Sequence, residues 1–142
     1  MTNENYIHAI PSCKNGFYDD VAPLSKEEKD NFAKLPFDDK EYAAGLEVDT
    51  LAGEKGYTTL ERLWSRPTLD CNGIWGGFTG EGAKTVLPSK ASSKISMRLV
   101  PNQDPDKIEK LFVDFVKKIA PKSIKTEVYG QHHGKPWISP ID

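Results

Sequence analysis

The hydrophobic pattern changes character twice along the chain. Residues 1–24 follow no period and are interrupted by Pro11, Gly16 and Pro23. They read as an extended lead-in, with Phe17 and Tyr18 in a turn-like segment able to pin it to a core. Residues 25–66 hold three short helical patterns. Ser25 and Glu28 have the spacing of a capping box, which predicts a helix over about Lys26–Lys34, stopped before Pro36. Asp38 or Asp39 can cap a second helix through Tyr42 and Ala44, ending near Gly45. Thr58 or Thr59 can cap a third over Leu60–Ser65, ended by Pro67. Each is too short to persist alone, so the segment reads as a surface excursion rather than a bundle.

Beyond Pro67 the period becomes two. Thr68–Ile74 reads as a strand, followed by a glycine-rich loop. Ala91–Val100 then alternates. Ala91, Ser93, Ile95, Met97 and Leu99 share one face; Ser92, Lys94, Ser96, Arg98 and Val100 share the other. Asp104 and Pro105 signal a helix start, with Asp as N-cap and Pro in the first helical position. Ile108, Leu111, Phe112, Phe115 and Ile119 follow at helical spacing, and Pro121 stops the run. Ile124–Gly130 reads as a further strand. Residues 67–142 therefore form a strand, loop, strand, helix, strand core. Burying the helix stripe on the sheet predicts an α+β, two-layer sandwich: an antiparallel sheet with helices on one face.

Composition bounds the chemistry. With 142 residues and 37% apolar content there is room for one domain with a modest core. A formal net charge of −2 without a basic block argues against a nucleic-acid partner. Cys13 and Cys71 are far apart, so neither a zinc knuckle nor a disulfide framework is visible. No stretch is long and apolar enough to cross a membrane. The N-terminus lacks the charged start and apolar run of a signal peptide, and a cytoplasmic location is the default expectation.

Few residues offer chemistry. His132 and His133 are adjacent in a turn and point different ways, which disfavours a shared metal; no acidic cluster at ligand spacing accompanies them. No nucleophile–base order is evident, so no catalytic residue and no metal ligand is assigned. The loop from Gly73 to Thr85 holds five glycines and ends in Lys84-Thr85. A phosphate cradle would have to open a helix, whereas Pro88 and a strand follow here. The loop is either a wide hairpin connection or a backbone that approaches a ligand, with the Thr85 hydroxyl available. Arg98 is either a solvated charge or a planar fork suited to a carboxylate.

Two runs, PTLDCNGIWGGFTGEGAKTVLP from Pro67 and KISMRLVPNQDP from Lys94, closely resemble the carnosinase and cytosolic dipeptidase branch of the di-zinc metallopeptidases that include carboxypeptidase G. GFYDDV from Gly16, GYTTLER from Gly56 and GKPW from Gly134 resemble the same branch in the same order. The resemblance runs from about residue 16 to the C-terminus and falls wholly within that family's lid. It implies a partial ferredoxin-like lid (dimerisation) domain that lacks the lid's first strand and helix. The family's zinc-ligand segments have no counterpart in this chain, and His8, His132 and His133 do not sit in the lid's histidine motif.

The resemblance further implies two substrate-binding positions. Thr85 matches the lid threonine that contacts the carboxylate end of the substrate, and Arg98 matches the lid arginine that binds that terminus. The implied partners are a second copy, the parent's catalytic domain and a small peptide. Zinc or manganese is implied for the full-length enzyme, with no cofactor held by this chain. The chain is thus expected to position substrate and not to cleave it alone. A free-standing α+β ligand-binding or protein-interaction module is the alternative.

Overall fold

A computed structural model describes residues 14–139. The part of the predicted lead-in before residue 14 lies outside the described residues. Seven elements follow in order: α1 (Lys14–Phe17), α2 (Lys26–Ala33), α3 (Asp39–Gly45), α4 (Thr59–Ser65), β1 (Thr68–Gly76), β2 (Ala91–Arg98) and α5 (Pro105–Ile119). The class is α+β, as the pattern predicts. The chain divides into two compact units. One runs to Pro67 and resumes at Leu99; the other is Thr68–Arg98.

In the first unit, helix starts follow local chemistry. Ser25 Oγ accepts from Glu28 N at 3.2 Å while Glu28 Oε2 accepts from Ser25 N at 2.7 Å, closing the capping box of α2. Those bonds hold the Glu28 carboxyl below its ordinary range, the backbone bond from Ser25 contributing most. Asp38 Oδ1 accepts from Lys40 N and Glu41 N at 2.8 Å each and starts α3. Thr58 caps α4, and Glu61 Oε2 returns the bond to Thr58 N at 2.6 Å. This explains how a buried glutamate is satisfied there. Thr59 Oγ1 donates to Asp39 Oδ1 at 2.7 Å and joins the starts of α3 and α4.

The core of this unit is small: among the described residues Phe17, Ala43, Leu60, Val100 and Ile108 are buried, with Pro67 and Pro105 also buried at element ends. Gln103 is buried among them at 3% exposure and bridges two backbone groups. Its Nε2 donates to Phe17 O at 2.7 Å, and its Oε1 accepts from Val100 N at 2.9 Å. The lead-in is therefore not simply extended. It makes the short helix α1 and a following turn, with Val21 N donating to Tyr18 O at 3.1 Å. Gly16 is required there: its φ is +101°, and a Cβ would stand 2.8 Å from Leu111 Cδ1. The apolar stripe of α5 is deepest at Ile108 and ends exposed at Ile119.

A second tie holds the C-terminal end of α4. Arg66 forms a bidentate pair with Glu54, Nε to Oε2 at 2.7 Å and Nη2 to Oε1 at 2.8 Å. Its guanidinium lies 4.9 Å from the Tyr18 ring centroid and 4.4 Å from that of Tyr57. Burial pushes the Tyr18 phenol above its ordinary value; the Glu54 carboxylate adds to this and Arg66 opposes it.

The second unit is a two-stranded antiparallel sheet. The predicted strand over 124–130 does not form, and the described sheet has two strands only. A strand persists only with a ladder partner. Ile124 and Tyr129 are exposed, and local contacts fill the segment instead. Lys125 pairs with Glu127 at 2.5 Å, and Tyr129 donates to the same carboxylate.

Gln103→Ala is expected to lower stability by about 2–4 kcal/mol, because Phe17 O and Val100 N lose their partner while remaining buried. Glu54→Gln is expected to cost about 1–3 kcal/mol, since Arg66 keeps a side chain only 11% exposed without its counter-charge. Urea unfolding checks both: the midpoint should fall at unchanged slope.

Candidate functional site

The hairpin is built so that one face is polar. Cα partners run Thr68 with Arg98, Leu69 with Met97, Asp70 with Ser96 and Cys71 with Ile95. Beyond an irregularity they run Gly73 with Lys94, Ile74 with Ser93, Trp75 with Ser92 and Gly76 with Ala91. Directly opposed residues share a face. Thr68, Asp70, Trp75, Ser92, Lys94, Ser96 and Arg98 therefore line one side. Leu69, Cys71, Ile74, Ile95 and Met97 line the other.

The irregularity is a bulge. Asn72 is the extra residue between Cys71 and Gly73, where the register shifts. Its Nδ2 donates to Ser96 Oγ at 2.6 Å, so its side chain lies on the polar face. Gly73, next along, adds no side chain there.

Charge follows the same division. Thr68–Arg98 carries Lys84, Lys90, Lys94 and Arg98 against Asp70 and Glu81, in a chain of formal net charge −2. Lys94 Nζ stands 6.0 Å from the Trp75 ring centroid, and Lys84 Nζ 5.1 Å from that of Phe78. Asp70 is engaged by Thr68 Oγ1 at 2.7 Å. Arg98 is exposed at the end of β2, and among the described residues no carboxylate pairs with it.

Thr85 lies in the exposed connection between β1 and β2, without a side-chain hydrogen bond to another described residue. Gly77 and Gly82 give that connection its left-handed turns, with φ of 75° and 81°. No contact joins Thr85 to Arg98. The ladder puts Arg98 at the end away from the loop, roughly 23 Å along the strand at the usual rise per residue. The loop leads into β2 rather than into a helix, so its backbone lacks the arrangement of a phosphate cradle.

Among the described residues, His133 is the histidine with side-chain partners. Its Nε2 lies 3.0 Å from Asp106 Oδ1 and 3.7 Å from Glu109 Oε2, tying the segment after α5 to the first turns of that helix. Among the described residues, no group of three or more His, Cys, Asp and Glu side chains is arranged to hold a metal ion. The donor set thus does not fit a metal centre, and no chemical step is derived through one. No described helix is long and apolar enough to cross a membrane.

Sequence reading missed the Asn72–Ser96 bond, the Arg66 cluster and the Gln103 bridge. Only the first had a local signal, a glycine at position 73 inside an otherwise strand-like run.

The fold and site together define a small α+β domain bearing a cationic hairpin. The chain belongs to the peptidase dimerisation domain family, which it matches over residues 20–124. It is 34% identical over 132 residues to the Cys-Gly metallodipeptidase of Schizosaccharomyces pombe, covering 89% of this chain and 27% of that protein. It is 32% identical over 133 residues to the Beta-Ala-His dipeptidase of Homo sapiens, covering 89% and 26%. Human carnosine dipeptidase 1 aligns in structure with a TM-score of 0.64 at 33% identity, over 72% of this chain and 22% of that one. A metallo-carboxypeptidase from Sulfolobus solfataricus aligns with a TM-score of 0.63 at 38% identity, over 72% and 24%. The chain therefore spans about a quarter of the length of these relatives.

Because Arg98 and Thr85 are exposed and hold no partner, Arg98→Ala and Thr85→Val are expected to change stability by less than about 0.5 kcal/mol. Urea midpoints matching wild type would show that the fold does not need either side chain.

Proposed function

We propose that this chain is the lid (dimerisation) domain of a zinc- or manganese-dependent dipeptidase. In this reading it positions a peptide substrate against a catalytic domain that supplies the metal. It does not break bonds by itself. Arg98 is the anchor for the substrate's terminal carboxylate, and Thr85 offers a hydroxyl to a substrate from the loop, at the other end of the hairpin from Arg98. The observation that carries the reading is Arg98 itself: a fork-shaped cation on a polar strand face, free of any described carboxylate. A guanidinium left unpaired beside hydroxyl neighbours suits an anionic ligand better than it suits the fold.

Assembly belongs to the same proposal. A two-stranded sheet has two open edges, and Ile74 on its apolar face is 80% exposed. Both features support association with a second copy and with the parent's catalytic half. The parent is placed in the cytoplasm in this reading, because the chain's two distant cysteines offer no disulfide framework.

Two measurements test the proposal. With zinc or manganese added, the chain is expected to hydrolyse no simple dipeptide. Turnover abolished by Arg98→Ala would contradict it by placing the reaction in this chain. Light scattering at high micromolar concentration should report a homodimer, and a monomer there would count against the assembly claim.

A further inference from the structure

The hairpin holds a polar pair that stability does not explain well. Asn72 and Ser96 are both exposed, yet they meet at 2.6 Å across the one irregular position of the ladder. An exposed hydrogen bond of this kind adds little to folding, because water would satisfy both groups. Alternation from Thr68 and Asp70 puts the Asn72 side chain on the polar face. The bulge leaves it without a directly opposed residue, and it reaches diagonally to Ser96.

The consequence falls on the Ser96 hydroxyl. A serine hydroxyl has one proton to donate and two lone pairs. Here one lone pair accepts from Asn72 Nδ2, which orients the group and leaves its proton free. Ser96 is the nearest position to Arg98 on the same face of β2, two residues away and about 7 Å along the strand. A carboxylate gripped by the Arg98 fork spends two acceptor sites on it and keeps others open. The Ser96 proton is the nearest side-chain donor along β2 for one of those sites.

The geometry points to Ser96 as a second donor to the peptide carboxylate, with Asn72 as its positioning residue. This rests on the reading of Arg98 given above. The ligand class is an unmodified peptide C-terminus. A C-terminal amide is neutral and keeps a single acceptor oxygen, so it cannot fill the Arg98 fork bidentately and accept from Ser96 as a carboxylate does. The Asn72–Ser96 pair thereby serves discrimination between a free terminus and a blocked one.

The test is an NMR titration of the full chain with N-acetylglycine and, in parallel, N-acetylglycinamide. Backbone amides of residues 94–98 and the Arg98 side chain report binding. Wild type should respond to the carboxylate and far less to the carboxamide. Ser96→Ala should weaken carboxylate binding about fivefold to tenfold and narrow the discrimination, as loss of one hydrogen bond to a charged ligand implies. Asn72→Ala should weaken it in the same direction, while Ser96→Thr, which keeps the hydroxyl, should retain wild-type discrimination. Arg98→Ala should abolish the response. A merely structural role for the pair would not move the carboxylate-to-carboxamide ratio. If Ser96→Ala disturbs the hairpin amides before ligand is added, Asn72→Ala and Ser96→Thr decide the matter. Wild-type discrimination in Ser96→Ala and Asn72→Ala, with binding lost in Arg98→Ala, overturns this inference and leaves the Arg98 reading standing. Undiminished binding in Arg98→Ala overturns the Arg98 reading itself. A wild type that does not discriminate between the two probes overturns both.

Discussion

A buried glutamine holds the helical unit together. Gln103 satisfies Phe17 O and Val100 N at once, tying the start of the described chain to the turn after β2. Backbone polar groups taken out of water must find partners, and these two find theirs in one side chain. The small core around it explains why so much depends on one residue. So few buried apolar side chains among the described residues cannot define a unique packing on hydrophobic area alone. The Arg66 pair with Glu54, enclosed by Tyr18 and Tyr57, adds a second polar tie in the same unit.

The hairpin is governed by a different constraint. Its ladder separates an apolar face from a polar one, and the bulge at Asn72 adjusts that separation locally. Its cations exceed its carboxylates although the whole chain is slightly acidic. An isolated two-stranded hairpin is marginal in water, and among the described residues no further strand pairs with either edge of this one. The chain belongs to the peptidase dimerisation domain family and spans about a quarter of the length of the relatives it matches. The sheet is the part of the chain that asks most for a partner.

What could be read from residue order was whatever is decided within a few residues. Ser25 with Glu28, Thr58 or Thr59, and Asp104 with Pro105 announced three helix starts because capping is a local exchange of hydrogen bonds; the structure settles the second on Thr58. Alternation over residues 91–98 gave the faces of β2 for the same reason. Residues 124–130 alternate just as well, but a strand is a property of two segments, and alternation says nothing about whether the neighbour is there. Nothing near Gln103 in the sequence marks it, since its partners are supplied by the tertiary fold; Phe17 lies 86 positions away. Arg98 was visible as a candidate, and the structure adds that it has no described counter-ion. Ser96 drew no attention, because its bond to Asn72 spans 24 positions and depends on the register of the two strands.

The central claim is that this chain orients a substrate which another domain cleaves. The most direct measurement replaces the matching quarter of the Schizosaccharomyces pombe metallodipeptidase with this chain and assays dipeptide hydrolysis. The account predicts turnover in the chimera, and an Arg98→Ala version in which KM rises steeply while the protein remains folded. A folded chimera whose KM and kcat are untouched by Arg98→Ala would contradict it.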